Sequence, residues 1–358
     1  MDNFTKARWI HRSTMEGDVY YDRKSRAILH GSHHGKISNN DEIASLPTFN
    51  PLAPLRVYLD PTYLCNLECR HCMTNSSPNV DTTGEMTTSK IISIIDEFAK
   101  IGVLELSIAG GEPLCHPDIF LILEHARNIG LNVLLTTNGQ TITQEIANKL
   151  VGLNLSEIRV SFQGAQKVHD EIAGSGSYRQ TMEGAILLSD VGANPMARLT
   201  LCKGSDEELD ELFNDLELAG VKHIKITTIK DSGRASLPEN QDILGFQPED
   251  NIDVKLKALG KKYNIIVKLE DILQSEPDKN KLRYSRHMNC GAGYQTAYIS
   301  PNGDVYICSA LPEYSLGNLK DMSFMEVWTS LPTTKYRQMT HNCSHYSLCE
   351  VIRKQMSI

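Results

Sequence analysis

The sequence predicts an α/β fold: an open, partial (β/α)6 TIM-like barrel followed by a small cysteine-rich C-terminal domain. Three observations predict it. Strand-like and helix-like patterns alternate from residue 55 to about residue 229 with short connections, as parallel strands joined by crossover helices do. The strand–helix units number six, short of the eight that close a full barrel. The nine cysteines crowd into two places, Cys65, Cys69 and Cys72 near the first strand and Cys290, Cys308, Cys343 and Cys349 in the last fifth. The chain divides accordingly into an N-terminal extension (1–54), the barrel (55–270) and the cysteine-rich domain (271–358).

Taken in order, the extension holds a possible hairpin, DVYYDRKSRAIL, and a loose GSHHGKISNND stretch in which His33 and His34 read as solvated. Residues 55–59 form a strand that runs into the first cysteines. Residues 87–100 place Ile91, Ile94, Ile95 and Phe98 at helical spacing. Then follow strand 103–109, helix 119–128, strand 132–137, helix 143–151, strand 157–162, helix 178–191, strand 198–202, helix 206–218 and strand 223–229. Residues 247–263 read as helix and 264–269 as strand. Polar residues 271–289 mark a boundary. Beyond it, Pro301-Asn302-Gly303-Asp304 is a turn between two short strands, and a helix is expected near 324–331.

Composition excludes several classes. Apolar residues make up 41% and charged residues 22%, as in a soluble globular protein rather than a disordered one. A net charge of −8 gives no basic surface for nucleic acid or anionic membranes. No apolar run is long enough to span a bilayer, and the first residues lack a secretory core. A cytoplasmic protein with reduced thiols is expected. An odd number of cysteines also argues against a disulfide framework.

Cys65-Asn66-Leu67-Glu68-Cys69-Arg70-His71-Cys72 is C-x3-C-x2-C, expected by chance in roughly 0.6% of chains with this cysteine content. Three thiolates suit a [4Fe–4S] cluster, which ordinarily takes four, and one iron left without a protein ligand is an open coordination site. A zinc site completed by a distant ligand has the same spacing. The group follows the first strand, at the C-terminal rim where βα proteins place their sites.

This motif, with ring residue His71 before its last cysteine, resembles the signature of the radical S-adenosylmethionine superfamily. Ala109-Gly110-Gly111-Glu112-Pro113 at the end of the second strand is similar to that family's GGE motif, and Thr136-Thr137-Asn138-Gly139 closes the third strand as the superfamily often does. The resemblance covers residues 55–235 and, more weakly, continues to 349. It implies a partial (β/α)6 barrel and S-adenosylmethionine bound to the open iron. Reductive cleavage would give a 5′-deoxyadenosyl radical that takes a hydrogen atom from the substrate. Gly110 and Gly111 would let the backbone approach the ligand, and the Glu112 carboxylate would meet its ammonium group. Asn138 would belong to the same site. Ser161 and Gln163, ending the fourth strand, are candidates for its ribose or carboxylate. Relatives often read S-x-D-G there, against Ser-Phe-Gln-Gly here.

Twelve residues separate Cys290 from Gly303 and four separate Gly303 from Cys308; five lie between Cys343 and Cys349. This resembles a shortened SPASM or Twitch extension. The four cysteines would ligate one auxiliary [4Fe–4S] cluster; a zinc knot on the same thiolates is the alternative. Cys202 and Cys115 are left over, as hydrogen-atom donors or as small buried apolar residues. Arg234, after the sixth strand, is a carboxylate binder or a solvated loop residue.

The expected function is hydrogen-atom abstraction from a peptide, leading to epimerisation, crosslinking or oxidation, with electrons from a flavodoxin or ferredoxin. The N-terminal hairpin would recognise a precursor by strand addition. Dehydrogenation or epimerisation of an aminocyclitol- or sugar-type metabolite is the alternative within the enzyme class. A non-catalytic zinc-binding interaction protein is the alternative outside it.

Overall fold

The computed structural model describes residues 8–14, 17–22, 28–30, 43–45, 53–246, 251–269, 292–309, 311–312 and 314–340. Four short strands open the chain: β1 (Trp9–Thr14), β2 (Gly17–Asp22), β3 (Ile28–His30) and β4 (Ile43–Ser45). They form a small sheet in the order β3-β2-β1-β4. The hairpin read from the sequence is β2 with β3; β1 and β4 add to it.

The larger sheet has ten strands among the described residues. Its centre is β5 (Arg56–Leu59), β6 (Glu105–Ile108), β7 (Asn132–Thr137), β8 (Glu157–Phe162), β9 (Met196–Leu201) and β10 (His223–Thr228), parallel and adjacent in chain order. These are the six strands the alternation predicts. A seventh, β11 (Ile266–Leu269), joins in parallel beside β10. At the other edge β12 (Thr296–Ile299) pairs in parallel with β5, and β13 (Asp304–Tyr306) and β14 (Ser315–Asn318) follow antiparallel. The cysteine-rich region thus starts as a continuation of the barrel's own sheet. The expected boundary at 271–289 lies outside the described residues, as do His33 and His34.

Alternate strand residues explain the layering. Val57, Leu106, Ile108, Val133, Leu135, Val160, Leu199 and Ile226 are buried in the core against the helices. Their neighbours Arg56, Ser107, Thr136, Ser161, Arg198 and Lys225 turn to the concave face.

The helices are α1 (Thr88–Ile101), α2 (Ile119–Asn128), α3 (Gln144–Gly152), α4 (Gln166–Ala173), α5 (Ser177–Asp190), α6 (Leu209–Leu218), α7 (Ile252–Lys262), α8 (Phe324–Trp328) and α9 (Leu331–Thr340). The first is typical: the Thr87 hydroxyl accepts from the Lys90 amide at 3.3 Å, Ile91, Ile94, Ile95 and Phe98 bury one face, and Gly102 ends it at φ 83°. Two helices escape the sequence reading. α4 has 8 residues and no side-chain cap, and α9 is weakly amphipathic, so neither carries a strong local signal.

The small sheet closes the end where the barrel strands begin. Ile10, Val19 and Tyr21 cluster with Leu55 and Leu104, and the Tyr21 hydroxyl donates to Glu105 Oε1 at 2.6 Å while accepting from Asn132 Nδ2 at 3.0 Å. The opposite rim, at the strand C-termini, is where the site lies. No helix among the described residues is long and apolar enough to cross a membrane.

Candidate functional site

The chain leaves β5 through Asp60–Leu64 and enters the cysteine loop. Cys65 is buried, and Cys69 and Cys72 are half-buried. The entry is fixed by the strand end beside it. The Gly111 amide donates to the Thr62 carbonyl at 2.9 Å and the Glu112 amide to the Leu64 carbonyl at 2.8 Å. A Cβ at Gly111 would lie 2.3 Å from the Leu64 oxygen, and one at Gly110 (φ 109°) would lie 2.8 Å from the Thr62 oxygen. The two glycines therefore admit the protein's own backbone, where the resemblance assigns them to ligand approach.

Glu112 is fully buried. Its carboxylate accepts from the Leu114 amide (3.1 Å), the Thr137 hydroxyl (2.8 Å) and the Asn138 amide (2.7 Å). Burial raises its carboxyl to about 7, and these hydrogen bonds pull the other way. Two oxygens offer about four acceptor positions, so roughly one is left for a ligand. Asn138 continues toward the loop: its Nδ2 donates to Asn66 Oδ1 at 2.7 Å and lies 3.9 Å from Cys65 Sγ.

Burial pushes the Cys65 thiol up to about 12, with Glu112, Cys72 and Cys115 adding and the Leu67 amide opposing. Burial does the same at Cys69, also to about 12, reinforced by Cys72 and Cys65. Three thiolates gathered in a buried loop repel one another, and bound metal removes that penalty. A [4Fe–4S] cluster takes each thiolate at a different iron, so three cysteines fit such a cluster with one iron left open.

In the loop and on the end of β8 opposite it are buried polar atoms without protein partners. His71 Nε2 lies 3.4 Å from Gln163 Nε2, while His71 Nδ1 and Gln163 Oε1 are unpaired. Burial, then the nearby Arg234, lowers His71 to about 4, so the ring is neutral. With Gln163 Nε2 donating to Nε2, the proton sits on Nδ1, leaving one donor and one acceptor open. This pairing suits a hydroxyl or a heterocycle edge. Ser161 is half-buried and stands in register with Arg198 of β9. Arg198 was missed from the sequence; only strand register brings it beside Ser161, and its planar fork suits a carboxylate.

The two spare cysteines separate. Cys202 is buried with Val168, Ile172 and Ile243, its sulfur 3.1 Å from Ser205 Oγ and 3.7 Å from the Gln163 carbonyl oxygen. Burial pushes it up to about 11. Cys115 is half-buried on the short turn Pro113–Cys115, close enough to Cys65 to act on it electrostatically. Arg234 takes neither expected role. Its Nε donates to the Cys69 carbonyl at 2.8 Å and its Nη2 to the Ser76 carbonyl at 2.7 Å, so it grips the cysteine loop. Cys308 is half-buried just after β13 and packs on the core. Cys290, Cys343 and Cys349 lie outside the described residues.

Comparison with known proteins agrees with this geometry. Residues 59–216 match the model of the radical SAM superfamily, and residues 290–351 match an iron–sulfur cluster-binding domain, SPASM. The mycofactocin maturase MftC of Mycobacterium tuberculosis is 28% identical over 312 residues, 83% of this chain and 77% of that protein. An AdoMet-dependent heme synthase of Methanosarcina barkeri is 29% identical over 294 residues, 77% of this chain and 82% of its own. The antilisterial bacteriocin subtilosin biosynthesis protein AlbA of Bacillus subtilis is 28% identical over 287 residues, 77% and 60% of the two chains. Among solved structures, Streptococcus suis SuiB bound to S-adenosylmethionine superposes with a TM-score of 0.72 at 18% identity, covering 93% of this chain and 89% of that one.

Proposed function

We propose that this chain, a member of the radical SAM superfamily with a SPASM domain, abstracts a hydrogen atom from a peptide and so epimerises, crosslinks or oxidises it. The two domains imply a [4Fe–4S] cluster with S-adenosylmethionine and an auxiliary cluster. When bound, the reduced cluster and S-adenosylmethionine supply a 5′-deoxyadenosyl radical able to attack an unactivated C–H bond.

The residues then divide the labour. Cys65, Cys69 and Cys72 hold the first cluster, and Cys290, Cys308, Cys343 and Cys349 the auxiliary one. Gly110, Gly111 and Glu112 fix the cysteine loop, and the remaining acceptor position of Glu112 faces the ligand's ammonium group. Asn138 anchors the loop beside Cys65. Ser161 and Arg198 take the ligand's carboxylate, and Gln163 and His71 its ribose or base. Cys115 is the better hydrogen-atom donor of the two spare thiols, because Cys202 is packed in an apolar cluster. The units 1–54, 55–270 and 271–358 serve as sheet cap, radical-generating barrel and auxiliary domain. A flavodoxin or ferredoxin supplies the electrons, and a reducing compartment such as the cytoplasm suits the thiols.

The observation that carries the reading is the three-cysteine loop whose entry is held by Gly111 and Glu112 at the strand C-termini. The names of MftC and AlbA support a peptide substrate. The heme synthase favours a second reading, a small metabolite. The test is anaerobic reconstitution with S-adenosylmethionine, a reductant and any short peptide encoded beside the gene. Formation of 5′-deoxyadenosine with loss of two hydrogens from the peptide means crosslinking or oxidation. Solvent deuterium gained at one carbon means epimerisation. An unchanged peptide with a turned-over metabolite overturns the peptide reading. Cys65→Ala is expected to remove about four irons and abolish cleavage of S-adenosylmethionine.

A further inference from the structure

The segment after β10 interlocks with the cysteine loop through two arginines pointing in opposite directions. From the segment, the Arg234 amide donates to the Cys72 carbonyl at 2.9 Å, and its guanidinium donates to the carbonyls of Cys69 (2.8 Å) and Ser76 (2.7 Å). From the loop, Arg70 Nε donates to Asn240 Oδ1 at 2.9 Å and Nη2 to the Glu239 carbonyl at 3.3 Å; Arg70 also pairs with Asp242 and with Glu171. Asn240 joins the two, since its Nδ2 donates to the Arg234 carbonyl at 3.0 Å. Gly233 makes the approach possible: at φ 60°, a Cβ there would lie 2.4 Å from the Cys72 oxygen and 2.5 Å from the Met73 oxygen.

The loop needs such a partner. Between Cys65 and Cys72 it has no helix or strand to satisfy its carbonyls. One guanidinium fork spans a carbonyl inside the loop, Cys69, and one just beyond it, Ser76, and a lysine ammonium is a point charge without that planar reach. The same guanidinium places a positive charge against the Cys69 backbone, 2.8 Å from its carbonyl oxygen.

We propose that Arg234 is a positioning residue: with Arg70 and Asn240 it latches the cysteine loop in its ligand-presenting shape before any metal arrives, and its charge then favours the reduced state of the cluster. The second half rests on the radical SAM reading; the first does not. Reduction adds negative charge beside Cys69, so a neighbouring cation stabilises it.

The experiment uses the full chain in two forms. In the metal-free protein, hydrogen exchange is followed at the amides of Arg70, bonded to the Ile172 carbonyl, and Cys72, bonded to the Cys69 carbonyl. Arg234→Gln is expected to speed exchange at both by tenfold or more, and Arg234→Lys by nearly as much, because both lose the fork. Asp242→Ala, at an exposed position that leaves the fold intact, is expected to speed the Arg70 amide a few-fold. In the reconstituted protein, Arg234→Gln is expected to make cluster reduction at least tenfold less favourable, about 59 mV for one electron. Arg234→Lys keeps the potential near that of the parent. Exchange unchanged in both Arg234 variants, or a potential unmoved in Arg234→Gln, overturns the proposal. Failure of the parent protein to take up a cluster sinks the radical SAM reading, while the exchange measurement still judges the latch.

Discussion

A methyl group at position 111 would press on the Leu64 carbonyl oxygen from 2.3 Å, and backbone cannot rotate out of the way as a side chain does. Gly111→Ala is therefore expected to cost about 2–4 kcal/mol and to lower iron retention, measured by urea unfolding and metal analysis. An unchanged midpoint would mean that the loop shifts freely. Asp60 gives a second prediction at this scale. It is buried and accepts from the Tyr298 hydroxyl at 2.6 Å. Burial, the larger influence, raises its carboxyl to about 7 from an ordinary 3.8. The native state thus holds the proton more tightly than the unfolded chain. Stability from this group is complete below about 3.8 and is lost as pH rises through about 7. Asp60→Asn, neutral throughout, should lose that dependence. The unfolding free energies from urea titration at low and neutral pH should converge relative to the parent by on the order of a few kcal/mol. Parallel pH profiles for the two proteins would refute it.

Elements in this fold hold one another by their ends as well as their faces. Glu97, on α1, accepts from the amides of Phe324 (3.0 Å) and Met325 (3.1 Å), capping α8 from a distant part of the chain. α8 has only 5 residues, and its own capping box from Ser323 to Glu326 serves the same terminus. Replacing Glu97 by Ala removes two hydrogen bonds to a charged group and is expected to cost about 2 kcal/mol. Hydrogen exchange at the Phe324 and Met325 amides would show the loss locally, and protection left intact would assign the cap to Ser323 alone. Helix faces were legible because Ile91, Ile94, Ile95 and Phe98 repeat at the helical period. The cap from Glu97 was not, because no local pattern records which distant helix end a carboxylate meets.

Across the whole molecule, the small N-terminal sheet is bound at the starts of the barrel's first strands and the C-terminal strands along the edge of β5. Tyr21 reaches Glu105 and Asn132 at the strand starts, and β12 extends the sheet from β5. Tyr21→Ala is expected to cost roughly 3–5 kcal/mol and to expose residues 8–22 to proteolysis at low protease. A variant as resistant as the parent would show that the sheet docks without this side chain. The sequence by itself determined the α/β class, the six central strands, the cysteine loop and the strand-end motifs, because these rest on short-range periodicity and spacing. Only the tertiary structure decided how they meet. It paired Arg234 with Cys69 across 165 positions, set Arg198 beside Ser161, buried Cys202 and turned the two glycines against Leu64 and Thr62. Those outcomes depend on sheet register and on where strand ends converge, and neither is written in a local stretch of residues.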